Sequence, residues 1–204
     1  MTFKVAVLAS GTGSNLQALL DKVHGRDGIE IVCVGSNNPD ARALQRARAA
    51  GIETAVFPVG EYGGRVERDQ AMGDWLDERG VQLVVLAGFM EILSTEFIAR
   101  FRGRIVNVHP SLLPAFPGIR SIEQALDYGV RITGVTVHFV DEGVDSGPIV
   151  MQEAFELPYH RDIREVETRV HEIEHELLPR VVRLIAAGAV EVAGRQVRIR
   201  DGEG

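Results

Sequence analysis

Cysteine is all but missing from this chain. Cys33 stands alone among 204 residues, which excludes an intramolecular disulfide framework. Inside the apolar run Ile29–Val34 it reads as a small core residue. Basic excess is missing too: 22 Lys and Arg face 29 Asp and Glu, a formal net charge of −7, which argues against a general nucleic-acid binder. No stretch approaches the roughly 20 apolar residues of a membrane span. The short apolar run Val5–Ala9 carries no cleavage-like flank. The expectation is a soluble cytoplasmic protein with no membrane or nucleic-acid partner. Repeats, linkers and low-complexity tracts are also lacking, so the chain reads as one domain, 1–204.

What is present is alternation. The pattern predicts strands over 3–9, 29–36, 53–57, 82–87 and 104–109, and helices over 15–23, 40–50, 66–79, 94–101 and 121–128, with Ser94 as an N-cap. Two longer strands, 131–140 and 149–157, alternate in part and read as antiparallel neighbours. Apolar residues at 163, 166, 170, 173, 177, 178, 181, 182 and 185 form one helical stripe, within which Pro179 should kink or interrupt the helix. A small hairpin around Gly194 closes the chain. Continuous apolar strands between helices predict an α/β fold: a Rossmann-like, open, mostly parallel twisted sheet with helices on both faces.

Three stretches carry chemistry. After the strand Arg104–Val106 comes Asn107-Val108-His109-Pro110-Ser111-Leu112-Leu113-Pro114-Ala115-Phe116-Pro117-Gly118, whose prolines forbid further strand or helix. Asn107 and His109 alternate and so point to one side, at the carboxyl end of a strand, where open α/β sheets bind ligands. An amide donor and an imidazole there can stabilise an oxyanion and move a proton. The second stretch, His138 to Ile149, runs from a strand into an acidic Gly-rich loop containing Asp141 and Asp145. The third, Ser10-Gly11-Thr12-Gly13-Ser14-Asn15, joins the first strand to the first helix and fits an anion-binding turn. A dinucleotide site fits less well: Leu16 replaces the third glycine, and no acid follows the second strand. The lysine of a nucleoside-triphosphate loop is also missing.

Together the Asn-x-His-Pro-Ser-Leu-Leu-Pro segment and the Asp before Ser-Gly-Pro resemble the folate-dependent formyltransferases, with Asn107, His109 and Asp145 as the catalytic set. The Ser-Gly-x-Gly-Ser-Asn-Leu turn is similar to that of the glycinamide ribonucleotide formyltransferases of purine synthesis, from Lys4 to about Val182. The tRNA-acting relatives lack this turn and append a basic domain that has no counterpart here.

The resemblance implies that Gly13, Ser14 and Asn15 hold the substrate phosphate, and that Pro110 to Gly118 and Glu174 flank the ribonucleotide. It implies Arg65 at the folate entrance, Met90, Ile92 and Leu93 as the pteridine wall, and Asp141 to Asp145 at the pteridine edge, with Asn107 beside it. Residues 1–100 would be a phosphate-binding half, and 101–204 a catalytic and folate-binding half. Glu91 departs from relatives that often carry a basic residue there, which puts folate-tail contacts in question; Thr12 departs harmlessly. The implied reaction is direct attack of the glycinamide amine on the formyl group of 10-formyltetrahydrofolate, through a tetrahedral intermediate. That folate is a co-substrate, and no metal or nucleotide cofactor is required. Asn107 and protonated His109 would face the formyl oxygen, with Asp145 favouring the imidazolium. A homodimer is left open.

Rival readings remain. His171-Glu172-Ile173-Glu174-His175 satisfies a zinc pentad without a third ligand. His138 reads as fixing the Asp145 loop or a water, and His24 and His160 as surface residues. A folate- or nucleotide-binding regulator would reuse the fold without chemistry, and another amine, such as a sugar nucleotide, could be the acceptor.

Overall fold

The computed structural model describes residues 2–157, 159 and 162–200; His160 lies outside them. The chain divides into two compact units, Met1–Val106 and Asn107–Gly204.

The first unit runs β1 (Phe3–Leu8), α1 (Ser14–Lys22), β2 (Ile29–Ser36), α2 (Arg42–Ala49), β3 (Glu53–Val56), a 3-10 turn (Val59–Glu61), α3 (Arg65–Glu78), β4 (Leu83–Leu86) and α4 (Thr95–Arg100). β1 pairs in parallel with β2 and with β4, and β2 with β3. Val5 to Leu8 and Leu83 to Val85 are buried without interruption, as parallel strands covered on both faces require. Cys33 lies in β2, in register with Ala6 on one side and Glu53 on the other. Burial pushes its thiol pKa up to about 12, with Arg79 pulling weakly the other way. Ser94 caps α4 as its sequence position predicts, its Oγ accepting from the Phe97 amide at 3.2 Å.

β5 (Ile105–His109) enters the second unit at Asn107, followed by α5 (Ser121–Tyr128), β6 (Ile132–Phe139), β7 (Ile149–Glu156), α6 (Ile163–Ala186), β8 (Val190–Ala193) and β9 (Gln196–Ile199). The seven longer-range strands form one mostly parallel sheet, ordered β3-β2-β1-β4-β5-β6-β7, with the helices around it; β8 and β9 make a separate hairpin. β6 and β7 are antiparallel, and their register shifts between Val137 and His138.

Every predicted element is present, with ends displaced by two residues at most. One expectation fails in part. Pro179 does not interrupt α6, which runs unbroken from Ile163 to Ala186. A proline in a helix interior costs about 3 kcal/mol. Leu177, Leu178, Val181 and Val182 are all buried around it, and at about 1.5–3 kcal/mol per buried side chain they offset that cost.

Candidate active site

The second unit gathers Asn107, His109 and Asp145, separated by up to 38 residues, around one carboxylate. Asn107 and His109 are alternate residues at the end of β5, so both side chains leave the same face. Asp145 comes from the β6–β7 loop and holds a φ of 49°, a conformation tolerated best by Asn, Asp and Gly. Its Oδ2 accepts from the Gly118 amide at 2.7 Å and lies 3.3 Å from His109 Nδ1. Its Oδ1 accepts from Asn107 Nδ2 at 3.4 Å and lies 3.5 Å from His138 Nε2. Four donors or potential donors thus converge on two oxygens.

The loops that deliver these groups are tied down within the same unit. Thr136 Oγ1 donates to the Ser111 carbonyl at 2.7 Å and accepts from the Leu113 amide at 3.1 Å. Gln152 donates to the Leu113 carbonyl at 2.9 Å, and Ser111 Oγ to that of Ala115 at 2.5 Å; the Leu113–Pro114 bond is cis. Behind Asp145, a Cβ on Gly147 would stand 1.9 Å from the Phe139 carbonyl oxygen, so no other residue allows the loop to return this closely. Asp141 shapes the same loop, accepting from Ser146 Oγ at 2.5 Å and from the Gly143 amide at 3.1 Å.

The electrostatics oppose one sequence expectation. Burial of Asp145 raises its pKa, but His138, the Gly118 amide and His109 together outweigh this and hold the carboxyl below its ordinary range. His109 is only 4% exposed. That burial draws its pKa below the ordinary 6.5, against the upward pull of Asp145 and of the Phe116 carbonyl. The charge of Asp145 therefore does not make His109 an imidazolium in the unliganded protein. Its Nε2 lies 2.9 Å from the Phe116 carbonyl oxygen and its Nδ1 faces Asp145. Because a carbonyl only accepts, the shorter contact assigns the neutral ring's proton to Nε2. A second proton, arriving at Nδ1, would meet a carboxylate.

His138 contacts the Asp145 loop and reaches Asn107 as well. Its Nδ1 lies 2.8 Å from the Phe139 carbonyl oxygen, so Nδ1 carries the proton, and Nε2 accepts from Asn107 Nδ2 at 3.3 Å. In this form it orients Asn107, and Nε2 donates to Asp145 only where the ring carries a second proton. A register shift lies beside it and the side chain is buried, features that no local sequence signal announces.

Glu174 is buried in α6, where its carboxylate pairs with His171 Nδ1 at 3.0 Å. This contact raises the His171 pKa, and Glu174 adds a smaller upward pull on His109. The rings of His171 and His175 stack with centroids 6.0 Å apart. Among the described residues, no group of three or more His, Cys, Asp or Glu is arranged to hold a metal ion.

In the first unit, Gly13 is the N-cap of α1 with a φ of 72°, and no side chain caps the helix. Ser14 and Asn15 open the first turn, which contains no acid. This leaves the helix N-terminus favourable to an anion. A Cβ on Gly13 would lie 2.7 Å from Ala43 Cα. Arg46 braces the turn, donating to the Thr12 carbonyl at 2.9 Å. Arg65 is exposed at the start of α3. Met90 and Ile92 are 73% and 64% exposed, whereas Leu93 is buried at 6%.

Residues 3–182 match the formyl transferase family model. The chain is 43% identical over 190 residues to a phosphoribosylglycinamide formyltransferase from Haemophilus influenzae, covering 93% of this chain and 90% of that protein. It is 46% identical to part of a trifunctional purine biosynthetic protein, adenosine-3, from Gallus gallus, spanning 93% of this chain but 19% of that protein's length. Its fold is similar to the crystal structure of glycinamide ribonucleotide transformylase 1 from Symbiobacterium toebii, at a TM-score of 0.95 and 41% identity, covering 98% and 95% of the two chains.

Proposed function

Because the chain belongs to the formyl transferase family, we propose that it transfers the formyl group of 10-formyltetrahydrofolate to the amine of glycinamide ribonucleotide, in purine synthesis. The observation that carries this reading is the convergence of Asn107, His109 and His138 on the Asp145 carboxylate. The names of the similar proteins supply the substrate class.

In this reading the amine attacks the formyl carbon on N10, and negative charge grows on the formyl oxygen of a tetrahedral intermediate. Asn107 turns an N–H toward that oxygen. His109, neutral at rest, takes its second proton from water as this charge develops and donates to the formyl oxygen. It returns the proton to water when the C–N10 bond breaks and the carbonyl re-forms. Asp145 supports the resulting imidazolium, and the proton lost by the attacking amine passes through water beside the ionised carboxylate to the departing N10. The carboxylate's own low pKa keeps it charged throughout. Holding two reactants in line supplies much of the remaining acceleration.

Gly13, Ser14 and Asn15 bind the substrate phosphate, and Glu174 serves the ribonucleotide. Arg65, Met90, Ile92 and the 141–145 loop serve the folate, with Leu93 supporting its neighbours from the core. Residues 1–204 act as a single formyltransferase domain, in the cytoplasm, needing no metal or nucleotide cofactor and no nucleic-acid partner. A homodimer is the assembly to check by light scattering.

The test is direct: the purified chain is mixed with both substrates, with and without chelator, and formylglycinamide ribonucleotide is measured. Stoichiometric, chelator-resistant product is expected. Failure to formylate this amine, with transfer to another phosphorylated amine, would move the assignment within the family. Activity lost to chelator and restored by zinc would revive the His171 and His175 pentad.

A further inference from the structure

The segment from Ala87 to Ser94 leaves β4, reaches the cap of α4, and is neither helix nor strand on the way. Ser10, just ahead of the phosphate turn, holds its start: the Ser10 amide donates to the Gly88 carbonyl at 3.0 Å, and the Met90 amide to Ser10 Oγ at 2.8 Å. The hydroxyl proton of Ser10 goes to Asn37 Oδ1 at 2.5 Å, and Asn37 Nδ2 donates to Glu91 Oε1 at 3.2 Å. The other Glu91 oxygen lies 3.3 Å from Arg68 Nη1. Arg68 is completely buried; it grips Asp69 Oδ1 through Nε at 2.8 Å and Nη2 at 2.7 Å, and donates to the Ile92 carbonyl at 3.3 Å. Asp69 Oδ2 accepts from the Ser94 amide at 2.6 Å. The chain of contacts is unbroken from Ser10 to Ser94.

One guanidinium meets two carboxylates here. Asp69 alone neutralises Arg68 in the interior, so charge balance does not call for Glu91, whose side chain is 34% exposed. What Glu91 uniquely supplies is the joint between Asn37 and Arg68. The apolar side chains of Met90 and Ile92 meanwhile stand in solvent. An irregular segment pinned along its length loses less freedom when a ligand lands on it, and that preorganisation is worth affinity.

We propose that Glu91 is a positioning residue that fixes the Met90–Leu93 segment and links it to the base of the phosphate turn, so that the two binding elements of this unit are set together. This rests on the assignment of these elements to the formyl donor and to the phosphate, respectively. The joint lies outside the reacting groups, so its loss should fall on KM and not on kcat.

The test uses Glu91→Ala, Asn37→Ala and their double mutant in the whole chain, with steady-state kinetics and backbone amide exchange. Either single change should raise the formyl-donor KM about tenfold, the worth of one charge-assisted hydrogen bond, and the ribonucleotide KM by a smaller factor. The kcat should stay within about twofold, since the transition-state contacts are untouched. In the unliganded protein the Met90 amide should exchange faster, while the Ser94 amide, held by Asp69, should not. The double mutant should be no worse than either single one, because both break the same link. Glu91→Gln, which keeps an acceptor but loses the charge, should fall between. Unchanged exchange at Met90 in Glu91→Ala, unchanged KM for both substrates, or a fully additive double mutant would each overturn the proposal. Should the parent chain fail to formylate glycinamide ribonucleotide, the functional reading falls while the exchange measurements still decide this one.

Discussion

In the C-terminal unit the groups proposed to react are shut in: His109 and His138 are nearly solvent-free, and Asp145 engages its neighbours with both oxygens. In the N-terminal unit the groups proposed to bind stand open, with an uncapped helix start at Gly13 and exposed side chains at Met90 and Ile92. Under the proposed function the difference follows from what each unit would do. Charge development in a reaction is stabilised best by dipoles already fixed in a place of low dielectric. A ligand's phosphate or flat ring must instead arrive from water, and its surface must be accessible before it is covered.

Breaking the closed cluster should give the largest effect. Asp145→Asn keeps the shape and removes the charge, and loss of even one oxyanion donor costs about 10²–10³ in rate. The kcat should fall at least that far, with both substrates still binding by calorimetry. His109→Asn should match it, and the double mutant should be far from additive because the two act as a unit. Turnover of Asp145→Asn within a few-fold of the parent would show that the hub is structural.

The open turn should be broken next. Gly13→Val pushes a branched side chain against Ala43 and forbids the positive φ, so ribonucleotide affinity should fall about tenfold or more, equivalent to at least about 1.4 kcal/mol. Formyl-donor affinity should hold. Equal loss of both would remove this turn from a single-substrate role.

A smaller effect sharpens the contrast between adjacent residues. Met90→Ser should raise the formyl-donor KM several-fold at an unchanged melting temperature, because Met90 is exposed. Leu93→Ser should instead lower the melting temperature, because a buried Leu is worth about 1.5–3 kcal/mol. The reverse pattern would exchange their roles.

The smallest effect is in the pH dependence of stability. The folded His109 pKa is depressed, so on acidification the unfolded chain takes up its proton first, and stability falls as pH drops below about 6.5. The folded His171 pKa is raised, so its contribution is present below 6.5 and fades as pH climbs through the folded value. Subtracting the melting profiles of His109→Asn and of His171→Ala from that of the parent should yield slopes of opposite sign. Two slopes of the same sign would refute the burial argument for His109.

The strands were legible because parallel strands covered on both faces must be unbroken apolar runs, as Val5–Leu8 and Leu83–Leu86 are. The Ser94 cap was legible because capping is local. Asn107 and His109 could be paired because alternation along a strand is a rigid rule. What stayed hidden depends on distant partners. The burial that depresses His109 is contributed by elements far along the chain. The burial of His138 and the register shift beside it depend on the pairing with β7. Arg68 looks like an ordinary surface residue of α3 until Asp69 and Glu91 close on it. Leu93 and Ile92 look alike as letters, and only the fold separates core from surface.

Cys33 has a use that its chemistry does not suggest. Sealed inside β2 and held as the thiol by a pKa near 12, it cannot react with a labelling reagent while the strand stays paired on both sides. Labelling therefore waits for the N-terminal unit to open, and when reclosing is faster than labelling its rate reads the opening equilibrium directly. With no other thiol in the chain, the modification needs no mapping. Mass spectrometry of the intact protein, followed over hours with and without each substrate, becomes a stopwatch for one half of the molecule.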